Sequence, residues 1–298
     1  MSDWEETFTS WAKGPSTTEQ TKCENAESAV NKAIDAHEKL SVMDVTVFPQ
    51  GSYRNRTNVK QDSDVDICVR LNSTFFPEYP PGKTREDFGD TQGSISFDDY
   101  KNLVQKALED YFGESSVRRG DKAFNIHENS YRIDADVVPT FAHKRYCLNA
   151  DGTHYVLTGI GFDTDAGKRI LNWPEQHYEN GLKKHEDTGR RFRKIIRILK
   201  RMRNEMQDEG IEAAKDVASC LIESLVWNVP NENFGHDTYT ADVSNVLAHL
   251  FNETRKNETC SEWGEVSELK YLFRSAQPWT REQAHNFISA AWDYVGFE

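Results

Sequence analysis

Asp64 and Asp66 stand one residue apart in the run Asp64-Val65-Asp66-Ile67-Cys68-Val69, where acidic and apolar residues alternate. As a strand, this run turns both carboxylates to one face and Val65, Ile67 and Val69 to the other. Two carboxylates about 5 Å apart repel by about 3 kcal/mol at an effective dielectric of about 20, a cost that a cation between them relieves. Oxygen-only ligands favour Mg2+ or Mn2+ over zinc, and Mg2+ is commonly completed by water and substrate phosphates. The substrate that fits is a nucleoside triphosphate. Just upstream, Gln50-Gly51-Ser52 offers a backbone that can approach a phosphate closely, with Arg54 and Arg56 nearby. Taken alone, the pattern also describes an edge strand with solvated aspartates after an ordinary turn.

Three other stretches carry candidate chemistry. In Arg132-Ile133-Asp134-Ala135-Asp136-Val137-Val138-Pro139 two acids again share one face, and the proline is expected to stop the ladder. The run Gly189 to Met206 reads as a helix with Phe192, Ile195, Ile196, Leu199 and Met202 as its buried stripe. Arg190, Lys194, Arg197, Lys200, Arg201 and Arg203 cover the remainder. Such a charge run is either a solvated face or, in a chain this acidic, a surface facing a polyphosphate. Ser219 is embedded in the apolar run Ala214 to Val229, where a serine commonly back-bonds to its own helix.

The elements that must position these residues follow from periodicity and punctuation. A short helix over Met1 to Gly14 presents Trp4, Phe8 and Trp11 on one side. Ser16 and Glu19 form a capping-box pattern opening a long helix that runs to Leu40. Val45 to Phe48 and Asp64 to Leu71 read as strands, and Asn72 to Ser94, rich in Pro and Gly, reads as a long loop, either a lid or a loose insertion. Ser96 starts a helix to Tyr111. Val117 to Arg119, Ala123 to His127, Tyr131 to Thr140 and His143 to Asn149 read as short strands. After about Asp163 the pattern turns helical: Pro174 to Lys184, Asp187 to Gln207, Ile211 to Trp227, Asp242 to Glu253 and Arg281 to Tyr294.

The 298 residues are 37% hydrophobic and 29% charged, as in ordinary globular proteins. No apolar run approaches about 18 residues and no signal-peptide pattern opens the chain, so a cytoplasmic protein without membrane association is expected. Five scattered cysteines without zinc spacing read as reduced core thiols. With 36 basic against 49 acidic residues, the net charge of −13 gives no general affinity for duplex nucleic acid.

The combination of Gly-Ser, a D-x-D strand, a third acid before V-V-P and a helical C-terminal half resembles the polymerase-beta-type nucleotidyltransferases. More closely, five stretches between Gln50 and Pro230 are similar to the bacterial cGAS/DncV-like nucleotidyltransferases, or CD-NTases. They are Q-G-S-Y-R-x-R-T-N-V, S-D-V-D, N-W-P-E-Q-H, R-x-x-x-I-x-R-I-L-K-R-M-R-N and S-x-L-I-E-S-L-V-W-N-V-P. The resemblance implies an α+β fold: a mixed nucleotidyltransferase sheet with flanking helices over residues 1–165, and a helical (OAS/PAP-like) domain over 166–298, with the active site in the cleft between them.

It further implies a two-metal synthase that joins nucleoside triphosphates into a cyclic oligonucleotide for antiphage signalling, the product being sensed by a separate effector. Asp64, Asp66 and Asp136 would hold two Mg2+ (or Mn2+) ions, with Asp134 a rival for the third position. Gln50, Gly51, Ser52 and Arg54 would meet the donor triphosphate, with Lys200 and Ser219 approaching it and Arg197 as an alternative contact. Asn172 occupies the place of a base-reading residue, and its amide suits the imide-like edge of uracil, unless it merely caps the helix that follows. A uridine-containing product from UTP and ATP, cyclic UMP-AMP or cyclic di-UMP, as in the CdnE branch, is therefore expected. The alternatives are a purine cyclic di- or trinucleotide, or a linear product as in oligoadenylate-synthase-like enzymes. No zinc insertion like that of animal cGAS is visible, so duplex DNA activation is not expected, and a monomer is.

Overall fold

The computed structural model describes residues 4–59 and 64–297. Residues 1–3 of the expected N-terminal helix and Ser63 of the S-D-V-D motif lie outside them.

In chain order, α1 (Trp4–Trp11) and α2 (Thr17–Ala36) precede β1 (Val45–Pro49), the short α3 (Gly51–Asn55) and β2 (Val65–Glu78). Then come α4 (Phe97–Phe112), β3 (Val117–Arg119), β4 (Phe124–Ile126), β5 (Ala135–Leu148), β6 (His154–Asp163) and β7 (Arg169–Asn172). The remainder is helical: α5 (Pro174–Asp187), α6 (Phe192–Asp208), α7 (Ser219–Trp227), α8 (Tyr239–Thr254), α9 (Asn257–Cys260) and α10 (Arg281–Val295). Two compact units result, one of Ser16–Gly51 and Ser63–Pro174, the other of Met1–Pro15, Ser52–Asp62 and Glu175–Glu298. The chain passes from one unit to the other between Gly51 and Ser52.

The first unit holds a seven-stranded mixed sheet in the order β1-β2-β5-β4-β3, with β6 joining β5 to β7. β2 and β5 are parallel and the other pairs antiparallel. The alternation read in β2 is realised: Val65, Ile67 and Val69 are buried while Asp66 is half-buried. α4 starts where Ser96 accepts the Asp99 N–H, and its Tyr100 hydroxyl donates to the Val69 carbonyl at 3.0 Å, pinning the helix to the sheet. α2 is capped in the same way by Ser16, but it ends at Ala36, and Leu40 falls in a separate turn of 3-10 helix.

Several strand boundaries differ from the sequence expectation. β2 continues through a bulge to Glu78 instead of ending at Leu71. Phe76 supplies the reason, packing with tilted rings against Phe141 and Phe97. The following loop is not a loose insertion, because Tyr79 and Phe88 pack on Tyr146 and the hydroxyls of Tyr79 and Tyr146 both donate to Asp90. β5 is one strand running through Pro139. That residue falls between the segment paired with β4, which ends at Val137, and the segment paired with β6, which begins at Phe141, so a missing N–H is tolerated there. β6, unforeseen in the sequence, extends the sheet beyond Leu148, and β7 follows where the family resemblance places a strand around Leu171 and Asn172.

In the helical unit the expected stripe of α6 is buried in full and forms the centre of a core shared with α7, α8 and α10. Trp4, Phe8 and Trp11 of α1 cluster with one another, and Trp4 also meets Tyr294. Ile211 to Trp227 is not one helix: α7 begins only at Ser219, which is its first residue and not embedded in it. Of the cysteines, Cys23, Cys68 and Cys260 are buried, Cys147 is half-buried, and Cys220 is exposed, unlike a core thiol. Among the described residues no helix is long and apolar enough to cross a membrane.

Candidate active site

The register of the parallel pair puts Asp66 directly opposite Asp136. Opposed residues project from the same face of a sheet at a strand spacing of about 4.8 Å. Asp64, two residues before Asp66, lies just outside β2, where the Val65 N–H donates to the Asp134 carbonyl and continues the ladder. Burial lifts the Asp136 carboxyl above its ordinary range. An amide hydrogen bond from Asn125 Nδ2 to Oδ1, at 3.2 Å, works the other way, and the charges of Asp64 and Asp134 push it up again. Asp134 is turned elsewhere: its Oδ1 accepts the Glu128 N–H.

Gly51 is required at this edge on two counts. Its φ is +65°, in the left-handed region, and a Cβ there would stand 2.2 Å from Asp66 Oδ2. The neighbouring Gln50 N–H donates to the Asp66 carbonyl at 2.8 Å, so that backbone donor is used within the sheet.

Among the described residues no three His, Cys, Asp or Glu side chains already surround one point as metal ligands would. The donor set nonetheless fits a hard divalent cation. It is made of carboxylate oxygens alone, with Asp66 and Asp136 brought together by the register, and both the burial that chiefly raises the Asp136 carboxyl and the smaller repulsion from Asp64 are offset by a bound cation.

The basic helix behaves differently from the expectation of a polyphosphate-facing surface. Lys200 has no exposed surface, and its Nζ donates to Glu223 Oε1 at 2.8 Å. The same carboxylate accepts from Thr57 Oγ1 at 2.6 Å and from His177 Nε2 at 3.0 Å, with Asn55 Nδ2 at 3.5 Å. Burial opposes the Glu223 charge, but Lys200 and His177 outweigh it and hold the carboxyl well below its ordinary value. Arg197 is buried too, donating from Nε to the Ala12 carbonyl and from Nη1 to the Arg56 carbonyl, and burial lowers its guanidinium to about 10. Arg203 donates to the Val217 carbonyl and to Ser219 Oγ.

Lys200 and Arg197 are thus internal ties of the helical unit as it stands. The physical reason is that long basic side chains flanking an apolar stripe lay their stems along it and carry their heads to carbonyls and carboxylates of neighbouring segments. Arg54 is half-exposed, paired with Glu175 at 3.2 Å and stacked on Tyr178. Ser52 lies beside it in α3, where its carbonyl accepts the Thr57 N–H.

Asn172 ends β7 opposite Ile160. The following helix begins at Pro174, so its capping position is Trp173, one residue beyond Asn172. Close approach fixes this corner as well: a Cβ on Gly159 would meet the Asn172 carbonyl at 2.5 Å.

The sequence reading passed over Glu223 and Asn125. A lone acid in the apolar run Leu221 to Val226 is itself a signal, since a charge is buried only with partners. Asn125 lies within the expected strand Ala123 to His127, but its place opposite Asp136 depends on a register that no local pattern carries.

Three comparisons bear on the whole arrangement. Residues 179–296 match the family profile of the cGAS/DncV-like nucleotidyltransferase C-terminal helical domain. The chain is 44% identical to the cyclic dipyrimidine nucleotide synthase CdnE of Cecembia lonarensis, over 98% of each, and 37% identical to a cyclic dipurine nucleotide synthase of Elizabethkingia meningoseptica, over 99% of each. Its fold superposes on the solved Rhodothermus marinus CdnE c-UMP-AMP synthase, which was determined with Apcpp and Upnpp, at a TM-score of 0.83. That match has 28% identity and covers 98% of this chain and 97% of the other.

Proposed function

We propose a specific product class for this chain, which belongs to the cGAS/DncV-like nucleotidyltransferases and, within them, to the CdnE branch. It is a cyclic dinucleotide synthase that uses UTP and makes a uridine-containing second messenger for antiphage signalling. The observation that carries the chemistry is Asp66 opposite Asp136 at an edge only a glycine at residue 51 permits. Asp64, Asp66 and Asp136 would hold two Mg2+ ions, which when bound neutralise triphosphate charge and favour loss of the proton from an attacking ribose hydroxyl. The hydroxyl oxygen of one nucleotide bonds to the α-phosphorus of another as the bond to pyrophosphate breaks. A second such displacement closes the ring.

The backbone at Gly51-Ser52 would lie along the donor phosphates. The buried Lys200–Glu223 pair would act at a distance, holding Thr57 and with it the segment that follows Ser52.

Uridine selection rests on two supports. Asn172 offers an amide at the end of β7, with both a donor and an acceptor for an imide edge. The relative named for dipyrimidine products is more similar than the one named for dipurine products, 44% against 37%. Cyclic di-UMP is the product this favours. Cyclic UMP-AMP is the second reading, on the strength of the Rhodothermus fold match.

The test is incubation of the purified chain with labelled ATP, GTP, CTP and UTP, singly and in pairs, with Mg2+ or Mn2+. Phosphatase-resistant products would be identified by mass spectrometry. Cyclic di-UMP from UTP alone supports the first reading, and product only from the UTP and ATP pair supports the second. Purine-only or linear products overturn both.

A further inference from the structure

The row of side chains at the carboxylate edge does not end with the two aspartates. Asn125 of β4 is the antiparallel partner of Asp136, and Arg118 of β3 is the antiparallel partner of Asn125. Arg118, Asn125, Asp136 and Asp66 therefore stand abreast on four adjacent strands, with side chains on one face. Asn125 already engages Asp136 Oδ1, which leaves Oδ2 as the oxygen not taken by that contact.

The two arginines of β3 are used in opposite ways. Arg119, on the other face, donates from Nε and Nη2 to both oxygens of Asp165 and from Nη1 to Asn102 and Gln105. Arg118 is exposed and makes no side-chain hydrogen bond or ion pair among the described residues. In a chain of net charge −13, this guanidinium stands on the face that carries the aspartates. A cavity of about 430 Å³ is lined by Arg118, Arg119, Gly120, Ala123, Asn125 and Asp136. One occupant would meet a carboxylate at one side and a guanidinium two strand spacings away, roughly 10 Å. A nucleoside triphosphate has the matching ends, a ribose hydroxyl and a chain of phosphates that suits the planar fork of arginine.

We propose that this cavity takes the nucleotide whose hydroxyl attacks, that Arg118 binds its phosphates, and that Asn125 is a positioning residue for the Asp136 carboxylate. The assignment rests on the nucleotidyltransferase reading. Removing a partner that orients a ligating carboxylate costs about 10- to 100-fold in metal affinity, and losing a hydrogen bond to a charged group costs about 10-fold or more in binding.

The experiment uses the full chain and three readouts: Mn2+ affinity by electron paramagnetic resonance, binding of a non-hydrolysable UTP analogue by calorimetry, and steady-state kinetics. Asn125→Ala, with Asn125→Ser as the milder variant should Ala compromise folding, is expected to weaken Mn2+ binding about 10- to 100-fold and lower kcat. Arg118→Gln is expected to weaken analogue binding and raise KM about 10-fold, with Mn2+ affinity and kcat near wild type. Wild-type Mn2+ affinity in a folded Asn125 variant, or wild-type analogue binding and KM in Arg118→Gln, overturns the proposal. If the wild-type chain binds Mn2+ and analogue but forms no phosphodiester, the nucleotidyltransferase reading fails, while the binding shifts still judge the two residues. A wild-type chain that binds neither overturns both.

Discussion

A Cβ on residue 51 would stand 2.2 Å from Oδ2 of Asp66, so the carboxylate and the turn are fitted to one another. Gly51→Ala must push Asp66 away from the edge it shares with Asp136, and must also adopt a left-handed backbone at φ +65°. Misplacing a reacting group by about 1 Å costs on the order of 100-fold in rate. Turnover of Gly51→Ala is expected to fall by about that factor while its far-UV circular dichroism stays that of the wild type. Full activity in this variant would show that Asp66 need not stay where it is.

Lys200 and Glu223 form a buried ion pair whose carboxylate also serves Thr57 and His177. Truncating one partner strands the other charge, at about 3–5 kcal/mol. Glu223→Ala should lower the urea midpoint accordingly, whereas Glu223→Ala with Lys200→Met should lose less than the two single variants added together. Strict additivity in that cycle would mean the pair is not coupled.

His185 predicts a pH dependence. Burial and then the charges of Arg193, Arg197, Lys194 and Arg190 lower its imidazole from 6.5 to about 4. As pH falls the unfolded chain takes up this proton first. The stability the group contributes is therefore complete above about pH 6.5 and is lost as pH falls towards 4. Its Nδ1 accepts the Arg193 N–H at 3.3 Å, a contact an asparagine oxygen can imitate. His185→Asn should flatten the decline in urea midpoint between pH 7 and 5, where pH 7 lies above the 6.5 at which the loss begins. A decline as steep as that of the wild type would place the proton uptake elsewhere.

Asn172→Ser tests base selection. A hydroxyl cannot reproduce the paired donor and acceptor of the amide. Labelled incorporation should move from UMP towards AMP and GMP without loss of total turnover larger than about 10-fold, the scale of one hydrogen bond to a neutral partner. Unchanged preference for UTP would remove Asn172 from the base.

The parts of this molecule legible in the sequence are those set by local period. The alternation around Asp66 fixed which side chains share a face, and the serine caps at Ser16 and Ser96 fixed where helices start. What depends on distant partners was not legible. Lys200 and Arg197 look like surface cations in a helical wheel, and only the folded positions of Glu223, Ala12 and Arg56 make them internal. Pro139 reads as a strand end unless one knows that the neighbouring strand changes at that point. Asn125 and Arg118 acquire meaning only through register: their strands are legible in the local alternation, but which residues stand opposite them is set by the fold.

The parallel pairing of β2 with β5 bears on the order of assembly during folding. β5 and β6 meet through a short connection, so their hairpin can form from local contacts. β2 must instead find β5 across a long intervening stretch that includes α4, β3 and β4, and such non-local parallel ladders close slowly. Asp66 and Asp136 become neighbours only at that step. A chain still emerging, or one arrested before the ladder closes, thus holds Asp64 and Asp66 near β1 and Asp136 elsewhere, and the three carboxylates share one edge only once that non-local pair of strands has closed.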